Sequence, residues 1–230
     1  MNKLSILLLL VLVTVTVAQD ELTFADAVAK YGVKFANEDE RSYSQAVYSD
    51  NVKSIRDNNA NPNITHKEGV NPFALLTRVE FKAKYLRAIP PKGVQVVAST
   101  PVVGWNIITA INWTKVAYVV TPVRDQGGCG SCWAFAAVAA LESLRFQGYG
   151  VRNANFSEQQ LVDCSGSYYN QGCNGGWMTY AFDYVKAKGI TTESLYPYTS
   201  GNTGVTGSCR PVTASLFKIS GYTNVAADCY

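Results

Sequence analysis

The feature that most constrains this chain is a glycine-rich loop that leads directly into an alanine-rich stretch. Gly127, Gly128 and Gly130 are poor helix formers, whereas most residues from Trp133 to Glu142 are strong ones. We therefore expect a helix to begin near Cys132. At a helix N-terminus, unpaired N–H groups and the positive end of the dipole favour the thiolate, which is the reactive form of cysteine. Cys132 is therefore predicted to be a nucleophile.

The Cys129-x-x-Cys132 spacing is also compatible with half of a zinc site or with a redox pair. A zinc site needs further ligands at similar short spacing, but Cys164 and Cys173 are nine residues apart with no histidine nearby. A redox motif normally opens a helix after a strand in a βαβ unit, and no such unit is visible here. A nucleophile is favoured, and a thiol redox protein remains a weaker alternative.

The run from Gln126 to Phe135 resembles the active-site segment of papain-like cysteine proteases, since Cys129 to Trp133 fits the pattern C-G-[SA]-C-[WY]. The resemblance implies that Cys132 attacks the peptide carbonyl. It also implies that the side-chain amide of Gln126 and the backbone N–H of Cys132 donate to the developing oxyanion. Loss of one such donor commonly costs on the order of 100- to 1000-fold in rate.

The stretch from Gly172 to Met178 resembles the wall of the substrate cleft in the same family. By this resemblance, Gly175 and Gly176 offer backbone groups to an extended peptide, which side chains would obstruct. Trp177 and Met178 are expected to line the pocket for the second residue on the acyl side of the scissile bond. Both are apolar, so a hydrophobic residue is expected there. The residues after Trp177 also have the spacing of a helix core face.

All six cysteines follow residue 128, which is typical of an oxidising compartment. Six cysteines allow 15 pairings, and the sequence alone does not select one. The resemblance implies disulfides Cys129–Cys173 and Cys164–Cys209. With the nucleophile set aside, Cys229 then lacks a partner, which indicates a missing partner or a cut chain.

Residues 1–18 have the pattern of a secretory signal peptide, with Lys3 followed by an apolar run and a small-residue site ending at Ala18. The apolar run is short for a membrane span, and no span is expected after removal of the signal. We therefore expect the protein in the secretory pathway, with a lysosome-like compartment or the extracellular space as its destination.

Residues 19–105 contain no cysteine and have helical patterning. One amphipathic helix is predicted from the apolar residues Phe24, Val28, Tyr31 and Phe35. A second is predicted from Tyr48, Asn51, Ile55 and Asn59. The second set resembles the prosegment motif of cathepsin L-like precursors, Glu-x3-Arg-x3-Phe-x2-Asn-x3-Ile-x3-Asn, which begins at Glu40 in this chain.

The prosegment departs from the family pattern at three positions, of which Tyr48 in place of phenylalanine keeps an aromatic ring. Ser44 replaces the motif's arginine, so an ion pair that the family uses is in doubt. A second motif, Gly69-x-Asn71-x-Phe73, is followed by Leu75 where the family has aspartate. The usual loosening of the prosegment by acid is therefore in question.

The resemblance implies a small helical inhibitory domain whose tail runs through the substrate cleft in the non-cleavable direction. The segment from Ile89 to Gly93 contains two prolines and is extended in character, as such a tail requires. The mature chain is expected to begin between Trp105 and Ala110, so residues 106–230 are taken as the N-terminal part of a peptidase domain.

The family has an α+β fold with a mainly helical lobe that carries the cysteine and a β-rich lobe that carries a histidine and an asparagine. The residues from Ser215 to Val225 alternate like a first strand of that second lobe. The histidine and asparagine are expected about 130–150 residues after the cysteine. The only histidine, His66, is interpreted as a surface residue. We therefore expect the β-rich lobe to lie outside these residues and the 230-residue chain to be inactive as it stands.

The net charge of +3 is scattered and gives no indication of nucleic-acid binding. We expect a monomer without metal or cofactor whose partners are peptide or protein substrates and its own prosegment. The preferred hypothesis is a cathepsin L-like endopeptidase zymogen. The alternative is a truncated, non-catalytic paralogue whose prosegment inhibits related proteases.

Overall fold

The structure is a computed structural model that describes residues 22–91, 93, 112–212, 214 and 216–224. The expected signal peptide, the expected start of the mature chain and Cys229 lie outside these residues. Internal contacts divide the chain into two units, with the boundary between Phe81 and Lys82. Within the described ranges, no helix combines the length and the apolar character needed to cross a membrane.

The first unit contains helix α1, Phe24–Tyr31, and helix α2, Glu38–Ala60. The hydroxyl of Thr23 accepts a hydrogen bond from the Asp26 N–H at 3.1 Å and caps α1. The prediction that Phe35 lies on the first helix is wrong, because α1 ends at Gly32, which has a left-handed φ of 63°. The Phe35 ring still packs on Phe24, with centroids 6.1 Å apart.

The polar residues of α2 hold the returning chain against this helix. The side-chain amide of Asn51 donates to the carbonyl oxygens of Ala74 and Leu76, both at 2.9 Å. Asn59 donates to the Glu68 carbonyl and accepts from the Glu68 N–H at 2.8 Å. These bonds satisfy backbone groups that the turn would otherwise leave unpaired. The apolar core beneath them consists of Ala27, Tyr48, Val52, Ala74 and Leu75.

A short helix, α3, spans Arg78–Tyr85 and contains the boundary between the units. The helices that follow it are α4, Cys132–Tyr149; α5, Glu158–Cys164; α6, Met178–Lys188; and α7, Ser200–Thr203. The predicted start of a helix near Cys132 is confirmed.

The core of the second unit forms where one face of α4 packs against α5 and α6. Trp133 and Leu141 are almost completely buried on that face. Full burial of side chains of this size contributes about 1.5–3 kcal/mol each. The other members of the same cluster include Ala134, Ala137, Val138, Leu161, Ala181, Val185 and Ile190.

A buried ionic cluster joins the segment before the glycine-rich loop to α4 and α5. The guanidinium of Arg124 lies 2.5 Å from a carboxylate oxygen of Glu142 and 2.5 Å from one of Glu158. Burial raises the pKa of Glu158 to about 7, although the charge of Arg124 opposes this shift. The cluster therefore holds the segment before the glycine-rich loop against α4 and α5. In it, two carboxylates share one guanidinium group.

The predicted strand from Ser215 to Val225 appears as a single antiparallel pairing in its described residues. Phe217 forms a bridge with Ile190, and their backbone groups exchange two hydrogen bonds of 2.8 Å. The Phe217 ring stacks on Phe156 with centroids 5.2 Å apart. Phe217 is thereby buried in the core of the second unit.

Candidate active site

The candidate nucleophile, Cys132, is the first residue of α4 and a free, partly exposed thiol. The carbonyl of the preceding Ser131 accepts hydrogen bonds from the N–H groups of Ala134 at 2.8 Å and Phe135 at 3.2 Å. Among the described residues, the Cys132 N–H has no acceptor. The thiol therefore lies beside a backbone donor that is available to a ligand.

Gln126 lies in the loop that precedes this helix and is partly buried. Its side-chain amide donates to the carbonyl oxygen of Cys129 at 2.9 Å, and it lies 3.5 Å from the carbonyl oxygen of Tyr85. The first contact fixes the orientation of the amide within the loop. The second shows that the carbonyl group of the last residue of α3 approaches the amide that is predicted to serve as an oxyanion donor.

A disulfide between Cys129 and Cys173 ties the glycine-rich loop to the turn before α6. The Gly130 N–H donates to the Cys173 carbonyl at 3.0 Å, and the indole N–H of Trp133 donates to the Gly172 carbonyl at 3.2 Å. These three connections set the nucleophile segment against the segment that leads to Gly175. A second disulfide, Cys164–Cys209, ties the end of α5 to the residues after α7.

The residues that follow α3 pair with the backbone of Gly176 in the predicted wall of the cleft. Ala88 and Gly176 form a parallel bridge, in which the Ile89 N–H donates to the Gly176 carbonyl at 2.9 Å and the Gly176 N–H donates to the Arg87 carbonyl at 3.1 Å. Gly175 has a φ of 121°, and a Cβ there would collide with the Arg87 carbonyl and the Ile89 side chain. In this register the next N–H that could donate belongs to residue 91, which is also a proline, so the pairing ends at Ile89. We call residues 85–89 the tail.

Trp177 and Met178 lie at the start of α6. Trp177 is extended, and its N–H donates to the side-chain oxygen of Asn170 at 2.8 Å. Met178 is partly buried and packs against the core of the second unit. The tail thus contacts both Gln126 and Gly176. The assignment of Trp177 and Met178 to a specificity pocket stays a prediction.

The sequence reasoning missed two contributors to this site. The sequence predicts the tail at Ile89 to Gly93, but the backbone contacts begin at Tyr85, the last residue of α3, because the helical pattern of α3 gives no sign that its end approaches Gln126. Tyr198 was not considered, although its hydroxyl reaches the carbonyl of Gln126 from 72 positions away. No local pattern marks such a contact. The expected surface residue, His66, is exposed, with Nε2 3.6 Å from a carboxylate oxygen of Glu68.

Two family profiles match the chain. The profile described as papain family cysteine protease matches residues 107–229, which is more than half of the sequence. The chain belongs to the papain family of cysteine proteases. A second profile, described as cathepsin propeptide inhibitor domain, matches residues 24–81, so this papain-family chain has the organisation of a precursor. Its predicted domain boundary at residues 105 and 106 lies outside the described residues and stays a prediction.

Individual relatives agree with this assignment. The papain-family chain is 42% identical over 205 residues to digestive cysteine proteinase 2 of Homarus americanus, covering 86% of this chain and 61% of that protein. It is 39% identical over 185 residues to the cathepsin L-like proteinase of Fasciola hepatica, covering 78% of this chain and 55% of that protein. The chain therefore spans less than two thirds of the length of these relatives.

Solved precursor structures share the fold. The digestive procathepsin L 3 of Tenebrio molitor larval midgut superimposes with a TM-score of 0.71 at 31% identity, covering 84% of this chain and 62% of that one. A recombinant stem bromelain precursor gives a TM-score of 0.71 at 30% identity. The described part of the papain-family chain is thus the helical portion of an α+β cysteine-protease precursor.

Proposed function

We propose that the protein is the zymogen of a cysteine-type endopeptidase that hydrolyses peptide bonds through the thiolate of Cys132. The observation that carries this proposal is the position of the Tyr85 carbonyl, 3.5 Å from the side-chain amide of Gln126. A backbone carbonyl of the chain's own tail thus approaches the group that would bind the carbonyl of a substrate.

In the proposed reaction, the Cys132 thiolate attacks the carbonyl carbon of the scissile peptide bond. The negative charge that develops on the oxygen is stabilised by the amide of Gln126 and the N–H of Cys132. The leaving amine takes up a proton, a thioester remains on Cys132, and water hydrolyses it.

The reaction requires an acid–base partner that moves the proton from the thiol to the leaving amine. No histidine follows Cys132 within these 230 residues. The proposal therefore needs a base from outside this sequence. We propose that the 230-residue polypeptide by itself lacks useful peptidase activity, because loss of the acid–base partner costs roughly 100- to 10,000-fold.

The tail is proposed to inhibit the enzyme by occupying the cleft in the reverse direction. Its pairing with Gly176 is parallel, through the flanking backbone groups of Arg87 and Ile89. A substrate that pairs with the same glycine in the antiparallel sense runs through the cleft in the opposite chain direction. The tail thus occupies the backbone groups of Gly176 and approaches the amide of Gln126 without offering a bond in the orientation for attack.

Several features of the whole protein are proposed from family membership and from the sequence. Substrates are peptides or proteins, with a hydrophobic residue preferred beside Trp177 and Met178. The protein is a monomer that enters the secretory pathway and acts in a lysosome-like compartment or outside the cell.

The test begins with the transcript beyond the codon for Tyr230. The full reading frame is expressed as the precursor, activated by limited proteolysis and assayed with a fluorogenic peptide that carries a hydrophobic residue in the second acyl-side position. We expect turnover by the wild-type chain and none by the C132A variant, with both secreted in equal amounts. Equal turnover by the two chains would exclude the proposed nucleophile.

The non-catalytic inhibitor is a second candidate, favoured by the separate apolar core of the first unit. This candidate predicts that purified residues 19–105 inhibit papain-family enzymes in trans, and that a stop codon directly follows the codon for Tyr230. A longer reading frame with peptidase activity would exclude it.

A further inference from the structure

The hydroxyl of Tyr198 makes two hydrogen bonds to the segment that leads to the candidate nucleophile. It donates to the backbone carbonyl of Gln126 at 2.7 Å and lies 2.7 Å from the hydroxyl oxygen of Ser131. Gln126 carries one predicted oxyanion donor, and Ser131 directly precedes Cys132, whose N–H is the other. The hydroxyl of Tyr198 therefore connects Gln126, whose side chain is one predicted donor, with Ser131, which precedes the residue that supplies the other.

The direction of these hydrogen bonds follows from the number of protons. A carbonyl oxygen only accepts, so the single proton of the Tyr198 hydroxyl is directed to Gln126. The Ser131 hydroxyl must then donate to Tyr198. Consistent with this, the Ser131 side chain makes no capping bond to α4, although serine is a favoured cap residue.

Tyr198 is itself held from several sides. Its ring meets the Phe135 ring edge-on, with centroids 5.0 Å apart and an interplanar angle of 89°. Its backbone N–H donates to the carboxylate of Glu193 at 2.6 Å. Burial raises the pKa of the Tyr198 hydroxyl, against the opposing effect of the hydrogen bond with Ser131, so the group keeps the proton that it donates.

A second contact in the same region supports the loop next to Tyr198. The Gly128 N–H donates to the Gly201 carbonyl at 2.7 Å. Gly127 has a φ of 59°, and a Cβ there would overlap the backbone of Gly201. The segment that carries Tyr198 thus lies against the glycine-rich loop at both the side-chain and the backbone level.

We propose that Tyr198 is a positioning residue that sets the separation between the Gln126 amide and the Cys132 N–H. This role rests on the proposed peptidase function, since the separation matters only when both groups bind one oxyanion. Tyr198 makes no hydrogen bond to the Cys132 thiol and acts through Gln126 and Ser131. Misplacement of an oxyanion donor lowers the rate of the chemical step more than it lowers the binding of the ground state.

The kinetic test uses Y198F, which removes the hydroxyl and keeps the ring against Phe135. In the activated enzyme we expect kcat to fall about tenfold with KM changed by less than about twofold. The matched control is Y184F, which removes a buried hydroxyl that accepts a 3.0 Å hydrogen bond from Gln160 and contacts neither Gln126 nor Ser131. Y184F is expected to keep the wild-type kcat.

A double-mutant cycle separates positioning from a general loss of stability. If Tyr198 acts through Gln126, adding Y198F to Q126A lowers kcat by less than about threefold, because the donor to be positioned is already absent. The same tenfold loss in both backgrounds would overturn the proposal. Activity that persists in C132A would instead overturn the proposed function.

A second measurement needs no peptidase activity and uses the 230-residue chain. The side-chain amide signals of Gln126 and the backbone N–H signal of Cys132 are followed by nitrogen-15 NMR. Y198F and S131A are each expected to shift these signals beyond the range seen for Y184F. Unchanged Gln126 and Cys132 signals in a folded Y198F chain would overturn the positioning role, even if the wild-type protein proved to be inactive.

Discussion

The hydroxyl of Ser44 donates a hydrogen bond to the backbone carbonyl of Leu75, 3.3 Å away. These are two of the positions at which the prosegment departs from the motifs of its family, which have arginine and aspartate there. Both residues are buried. The two substitutions therefore meet at one place, where a neutral hydrogen bond and an apolar side chain occupy positions that carry charged residues in the family.

This contact predicts that a charge at residue 75 destabilises the first unit in a pH-dependent way. Leu75→Asp places an unpaired carboxylate in the core and should cost about 3 kcal/mol at pH 7, with a smaller cost near pH 4, where the carboxyl takes up a proton. Leu75→Asn has the same shape without the charge. Urea unfolding of the two variants should differ at pH 7 and converge at pH 4; a constant difference would contradict the interpretation.

The two disulfides offer a matched comparison, because they enclose sequence separations of 44 and 45 residues. Chain entropy alone gives each about 4 kcal/mol of stabilisation. We expect the C129S/C173S and C164S/C209S pairs to lower stability to a similar extent. Only the first pair should also shift the NMR signals of Cys132, because only that bridge fixes the loop before α4. Equal shifts in both variants would argue against a local role.

Gly175 is predicted to control how tightly the tail is held. Gly175→Ala adds a Cβ against the Arg87 carbonyl at a φ of 121°, a conformation that costs roughly 1–3 kcal/mol outside glycine. The tail should loosen, and alkylation of Cys132 by iodoacetamide in the precursor should accelerate about tenfold. Gly166→Ala is the control, because an added Cβ there meets nothing within 4 Å. Identical alkylation rates in the two variants would contradict the prediction.

Glu158 is predicted to make the second unit more stable in acid. Its pKa is raised from 4.5 to about 7, chiefly by burial, so the folded state retains a proton that the unfolded state releases near pH 4.5. This contribution to stability is fully present below pH 4.5 and is lost as the pH rises to about 7. It amounts to about 3 kcal/mol.

Glu158→Gln should flatten this dependence, which denaturant unfolding between pH 4.5 and 7 would measure. Glu38→Gln is a suitable control, because the Glu38 side chain is 82% exposed. A stability that increases towards pH 7 in the wild-type chain would contradict the assignment.

The local features of the site could be predicted from sequence because each depends on neighbouring residues. The glycines before Cys132 and the alanines after it determine where α4 begins, and the periodic asparagines of α2 mark the side that holds the returning chain. The assignment of Phe35 to the first helix failed because Gly32 ends α1 in the left-handed conformation, which an apolar period does not reveal.

The contacts that assemble the site depend on residues far apart in sequence. Tyr198 reaches Gln126, and Arg124 reaches Glu142 and Glu158, only once the helices have packed. A single tyrosine or arginine in a sequence carries no sign of its partner. The sequence therefore does not reveal that Arg124, one of many scattered basic residues, lies partly buried between two carboxylates.

The bridges Cys129–Cys173 and Cys164–Cys209 overlap along the chain, since the second begins before the first has closed. A single cut at any peptide bond between residues 129 and 209 falls inside at least one of the two covalent loops. The two pieces then remain linked by a disulfide, and a cut between residues 164 and 173 leaves both disulfides spanning the break. One proteolytic nick in this region cannot release a fragment from the helical lobe, which gives the protein a covalent means of surviving proteolytic damage.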